Sequence, residues 1–178
     1  MSVECYFNVT NLSKNLYLKL LAKQRKIEEE TGEMPYLDSL FEDGDKGIDG
    51  EDLFIETIDC VYCRESNHYV EAVDNIFGFK NRRAEYFDDS CEWDEDWDYD
   101  CFCCISNIQF FLTKEDVKYA INNTVCYLDE LKGSNVVDSY DLENSEDFYF
   151  ETIRFYNALK RLQSLKNKGL NVTICIQG

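Results

Sequence analysis

Cys60 and Cys63 are separated by two residues, a spacing at which both thiolates can reach one tetrahedral zinc ion. Cys91, Cys101, Cys103 and Cys104 follow, and Cys60, Cys63, Cys101 and Cys103 are the set that a zinc-binding interaction module would use. The second half of this set weakens the chemistry. In a strand, the run from Cys101 to Cys104 sends neighbouring side chains to opposite faces, and the single histidine, His68, stands at no standard ligand spacing. The competing expectation is that the nine cysteines, odd in number and irregular in spacing, are reduced thiols that act mostly as small buried apolar groups. On that reading, which we adopt, the chain uses neither metal nor cofactor.

The segment Asp45 to Glu56 resembles the calcium-binding loop of an EF-hand. Asp45, Asp49, Gly50 and Glu56 fall at its first, fifth, sixth and twelfth positions. Gly47 stands where that loop needs an oxygen ligand, Asp52 where it packs an apolar side chain, and Pro35 opposes a long incoming helix. An acidic, glycine-containing loop without metal is therefore the expectation. Catalysis draws little support from the residue types. His68 alone would have to serve any Ser-His or Cys-His arrangement, and carboxylates are so abundant that no acid and base pair stands out. A phosphate-cradling glycine loop ahead of a helix is missing too.

The most distinctive stretch runs from Tyr86 to Asp100. Both tryptophans of the chain, Trp93 and Trp97, lie in it four residues apart, surrounded by carboxylates. A purely solubilising segment would hardly carry Trp, Tyr and Phe, because exposed aromatic surface invites association. Aromatic anchors supply affinity in interfaces by desolvation, while the charges around them steer encounter and fix register. The alternative is that both indoles pack onto the core, since a spacing of four also suits one buried helical face.

Charge narrows the partners. With 36 acidic against 18 basic side chains, the chain carries −18. Direct binding to a nucleic-acid backbone is disfavoured, because that affinity comes from cations that displace condensed counterions; anionic membranes are disfavoured for the same reason. Acids come in blocks: Glu28 to Asp59 holds thirteen against Lys46 alone, and Glu85 to Asp100 holds nine against no base. A basic protein partner is the expectation that follows. There is no signal-peptide pattern at Met1 to Thr10 and no apolar run long enough to span a bilayer, so a cytoplasmic location is expected. The sequons at Asn8, Asn11, Asn122 and Asn171 then carry no weight.

The elements that must position these residues follow from periodicity. Val3 to Val9 alternates as a half-buried strand, and Ser13 opens a helix in which Leu16, Leu20, Ala22 and Ile27 recur up to Thr31 and Gly32. That helix carries Lys14, Lys19, Lys23, Arg25 and Lys26 and no acid before Glu28. An irregular acidic connection is expected near 32–50, two short helices over Leu53 to Tyr62 and Tyr69 to Phe77, and an exposed acidic aromatic loop near 85–100. A strand over Cys101 to Leu112 precedes a helix from the Thr113 and Asp116 capping box to Leu131. A long helix runs from Ser145 to Lys168, and Leu170 to Ile176 alternates as a final strand. This order predicts a single α+β domain over 1–178, with a small sheet of N-terminal, central and C-terminal strands packed against several helices.

In size, charge and missing active-site signals the chain resembles, as a class, the acidic immunity proteins of bacterial toxins and the acidic anti-restriction or anti-CRISPR proteins of phages. That analogy of type implies a non-enzymatic inhibitor that occludes the basic active surface of a nucleic-acid-processing protein, such as a nuclease toxin or a CRISPR effector. Asp88, Asp89, Glu92, Asp94, Glu95, Asp96, Asp98 and Asp100 would meet its Lys and Arg side chains, imitating phosphate charge as a DNA mimic does. Trp93, Trp97 and Tyr99 would insert as anchors. The alternatives are the zinc module above and an enzyme whose carboxylates cannot be ranked.

Overall fold

The computed structural model describes residues 4–58, 76–78, 108–133 and 139–177. Strand β1 (Glu4–Thr10) leads into helix α1 (Lys14–Thr31), and a 3-10 turn (Leu37–Leu40) interrupts the connection to β2 (Ile55–Ile58). Strand β3 (Ile108–Phe111), helices α2 (Lys114–Gly133) and α3 (Ser139–Asn167), and strand β4 (Asn171–Gln177) complete the described elements. The strands form one antiparallel sheet in the order β2-β1-β4-β3, so the two seven-residue strands lie at its centre. The α+β class expected from the sequence is the one that forms. No described helix is long and apolar enough to cross a membrane.

Local chemistry sets the helix ends. The Ser13 hydroxyl accepts from the Leu16 amide at 3.2 Å, and α1 stops at Gly32, whose φ of 74° lets its N–H reach Glu28 O. At α2 the expected capping box is present: Asp116 accepts from the Thr113 amide at 2.7 Å, and Thr113 Oγ1 accepts from the Asp116 amide at 3.1 Å.

Three expectations need correction. Residues Ile55–Ile58 are a strand, where the spacing from Leu53 onward predicts a helix. Spaced apolar residues are ambiguous over so short a run, and pairing of Ile58 with Phe7 and Ile55 with Thr10 decides the outcome. Helix α3 starts at Ser139, so Ser145 lies inside the helix. Ala22 is exposed; the side chains that α1 buries are Tyr17, Leu20 and Leu21. Of the helix expected before Gly78, Ile76 and Phe77 form a helical turn, and of the Cys101 to Leu112 strand, 108–111 is described.

Register sorts the side chains. Phe7 pairs with Ile174 and Ile58, and Val9 with Val172, which places them on one sheet face. There they join Phe110, Val117, Phe155, Leu159 and Leu162 in the main core under α2 and α3. Phe155 stacks on Phe7 at 5.8 Å between centroids and meets Phe77 edge-on at 6.1 Å. The opposite face, under α1, is where the sequence misleads. Asn8 and Thr173 alternate with the apolar set, the pattern of a wet face, yet they are 6% and 0% exposed, and Thr10 beside them is 0% exposed.

Asn8 and Thr173 are satisfied by side chains of this layer, and Thr10 by backbone groups of Phe54 and Leu12. Tyr17, fully buried, donates from its hydroxyl to Gln109 Oε1 at 2.9 Å and accepts from Asn8 Nδ2 at 3.3 Å, with Thr173 Oγ1 3.4 Å away. Thr57 Oγ1 donates to Asn8 Oδ1 at 2.8 Å. Burial, and after it the charge of Cys175, pushes the Tyr17 phenol well above its ordinary pKa. Apolar side chains of α1 close over this layer: Leu20 and Leu21 pack with Leu12, Leu40 and Phe111.

Candidate functional site

The partner-binding strip expected at Asp88, Asp89, Glu92, Trp93, Asp94, Glu95, Asp96, Trp97, Asp98, Tyr99 and Asp100 lies outside the described residues. So do Cys60, Cys63, Cys101 and Cys103, along with His68. Of the other cysteines, Cys175 is buried and Cys126 is exposed. Among the described residues, no group of three or more His, Cys, Asp or Glu side chains could hold a metal ion.

The described structure does show the first acidic block, which runs from the end of α1 through the connection to β2. Twelve carboxylates lie in 28–56, and Lys46 is the one basic residue there. Asn11, itself 0% exposed, holds the 48–54 part of this connection in place. Its Nδ2 donates to Asp52 O at 2.9 Å and to Asp49 Oδ1 at 3.3 Å, its Oδ1 accepts from the Phe54 amide at 3.0 Å, and its backbone carbonyl accepts from the Ile48 amide at 2.8 Å. Thr10 Oγ1 adds a bond to Phe54 O at 2.6 Å. A β-carbon at Gly47 would collide with the Asn11 amide, which explains the glycine there. Asn11 and Asn8 are buried in these networks, so neither sequon is accessible in the fold.

The carboxylates resembling a calcium loop are engaged differently. Asp45 accepts from the Glu42 amide and Asp49 from the Glu51 amide, while Glu56 lies in β2 and pairs with Arg161 at 2.9 Å. A strand follows the segment in place of an EF-hand's exit helix.

Exposed ion pairs rim the connection: Lys23 with Glu42, Lys46 with Asp52, Arg25 with Glu29, and Lys26 with Glu30. The Lys23 hydrogen bond, with the charges of Lys23 and Lys19, draws the exposed Glu42 carboxyl below its usual pKa. Such exposed pairs are screened by solvent and contribute little, whereas a buried amide left unsatisfied costs about 1–3 kcal/mol. Asn11 therefore fixes the connection more firmly than the ion pairs do. With Glu29, Glu30, Glu42, Asp52 and Glu56 paired, Glu33, Asp38, Asp43 and Glu51 stand exposed with no basic partner among the described residues.

Apolar groups are exposed among these acids. Tyr36 is 84% exposed, and Met34, Ile48 and Phe54 also project outward. Sequence reasoning assigned the pairing of acids with exposed aromatic groups to 85–100 and missed it here. The signal was legible in Met34, Tyr36, Ile48 and Phe54 between acidic neighbours, but the connection was read as irregular and not as a surface. Comparisons with protein-family models, with curated proteins and with solved structures found no match for this chain.

Proposed function

We propose that the chain is a non-enzymatic inhibitor that covers the basic active surface of a nucleic-acid-processing protein in the cytoplasm, as a toxin-immunity protein or a phage anti-restriction or anti-CRISPR protein. One observation supports this reading above the others: the connection over 28–56 presents exposed apolar side chains and carboxylates with no basic partner among the described residues, and the buried Asn11 ties its 48–54 part to a fixed path. A surface ordered before encounter loses little entropy on binding. Its negative field draws in a cationic partner from beyond contact distance. Tyr36, Met34 and Phe54 then supply desolvated contact area, the role also proposed for Trp93, Trp97 and Tyr99, and the acids of both blocks meet Lys and Arg of the partner.

The test begins with a partner isolated from the native cells by a tagged copy of the chain. Its association rate with the pure protein should fall about tenfold or more as salt rises from about 0.05 to 0.5 M, because the screening length shrinks to a few Å. The combined variant Glu33→Lys, Asp38→Lys, Asp43→Lys should slow association further, and the partner's nucleic-acid processing should be blocked by the wild type. A rate indifferent to salt and to those substitutions would rule the proposal out.

A further inference from the structure

Residues 13–46 leave the sheet and return to it at one place. Helix α1 begins just after Asn11 and Leu12, and on the way back the Ile48 amide donates to Asn11 O at 2.8 Å while Asn11 Nδ2 donates to Asp52 O at 2.9 Å. Both ends of the segment are thus pinned to the same residue. The neck is tight, because a β-carbon at Gly47 would collide with the Asn11 amide, and it is closed further by the Gly47 N–H donating to Glu51 O at 3.1 Å.

Inside the segment, α1 and the connection hold each other. Gln24 Nε2 donates to Pro35 O at 2.6 Å, Lys23 pairs with Glu42 at 2.9 Å, and Leu37, Leu40 and Phe41 pack in the same cluster as Leu20 and Leu21. Both ends of α1 are capped from within the segment, by Ser13 Oγ and by the Gly32 N–H on Glu28 O. Lifting the segment from the sheet leaves all of these bonds in place.

Its attachment to the sheet has a different character. Beneath α1 lies the polar layer, where the Tyr17 hydroxyl meets Gln109 Oε1 and Asn8 Nδ2, groups that water can satisfy once they are exposed. Among the described residues, the apolar cluster on this face has six buried members against fifteen in the cluster under α2 and α3. The two clusters share no buried residue, so the smaller can open while the larger stays packed.

We propose that residues 13–46 form a hinged flap, which lifts from the sheet as one piece about the Asn11 neck while the sheet and the α2 and α3 face stay folded. The device is independent of the function proposed above. Opening moves Glu33, Asp38 and Asp43 with the flap and leaves Glu51 and Asp52 at the neck, so it divides the acidic connection into a moving part and a fixed part. It also uncovers Cys175, whose thiol lies in the polar layer 3.6 Å from Asn8 Nδ2 and is fully buried when the flap is closed.

Alkylation of Cys175 by iodoacetamide in the full chain, read from the mass of its peptide, tests this against amide exchange at Leu159 and Leu162 in α3; the exposed Cys126 reports reagent activity. In the wild type, alkylation of Cys175 should depend less steeply on urea than exchange of the α3 amides, because lifting the flap exposes less surface than unfolding the chain. Leu21→Ala, in α1, removes packing that the flap loses on opening and should speed Cys175 alkylation about tenfold or more. Val117→Ala, in α2, removes packing that is the same in both states. It should speed exchange of the α3 amides about tenfold and leave Cys175 alkylation unchanged. The wild-type comparison needs no substitution and decides alone if either variant fails to fold. Equal urea dependences in the wild type, or Cys175 alkylation that is indifferent to Leu21→Ala or rises with Val117→Ala, would overturn the proposal.

Discussion

The two faces of the central sheet are built from different chemistry. Under α2 and α3, Phe7, Phe110, Phe155 and Leu159 are fused into an apolar core that any well-shaped hydrophobic set could approximate. Under α1, Asn8, Thr10, Tyr17, Gln109 and Thr173 form a buried polar layer in which each bond has a direction. Apolar burial is non-directional and supplies most of the stability. A satisfied polar network adds less but admits fewer alternative arrangements. The polar side is also the side from which Thr10 and Asn11 reach out to hold the acidic connection. Stability thus resides mainly on one face, and the geometry of the candidate binding surface depends on the other.

The sharpest way to separate the two is to damage each in turn. Phe155→Ala removes a fully buried ring that contacts both Phe7 and Phe77, and should cost about 3–5 kcal/mol in urea unfolding. Against a total of about 5–15 kcal/mol, that is a large share. A loss under about 1 kcal/mol would mean that the apolar face does not carry the fold.

On the polar face, Tyr17→Phe keeps the ring but leaves Gln109 Oε1 without the hydroxyl donor, at a cost of about 1–3 kcal/mol. The same phenol makes the face sensitive to base. Its folded pKa lies above the unfolded value of about 10, so its contribution is intact below about pH 10 and is lost as pH rises toward the folded value. Wild-type stability should therefore fall above about pH 10 more steeply than that of Tyr17→Phe. Parallel urea titrations at pH 8 and pH 11 check this, and equal slopes in the two proteins would contradict it.

Much of this frame was legible in the sequence where local chemistry decides. Ser13, Gly32 and the Thr113 and Asp116 box mark helix ends because their side chains or φ angles satisfy specific amides. Alternation located β1 and β4 for the same local reason. It failed at Ile55–Ile58, where strand identity depends on pairing with β1, far away in sequence. It failed too for Asn8 and Thr173, because polar residues in alternation signal a wet face, and only the docking of Tyr17 and its helix makes that face an interior. At the candidate site, the surplus of acids was plain from composition. The role of Asn11 was hidden, since its partners at Asp49, Asp52 and Phe54 are some forty residues distant.

The account turns on Asn11 holding the carboxylates of 48–54 in a fixed display. Amide hydrogen exchange of Asn11→Ala against the wild type measures this most directly. In the wild type the Phe54 and Ile48 amides should be protected; in the variant Phe54 should exchange about tenfold faster or more, while central amides of β1 and β4 keep their protection. A Phe54 amide that exchanges at the unstructured rate in the wild type, or one unaffected by loss of the Asn11 side chain, would contradict it.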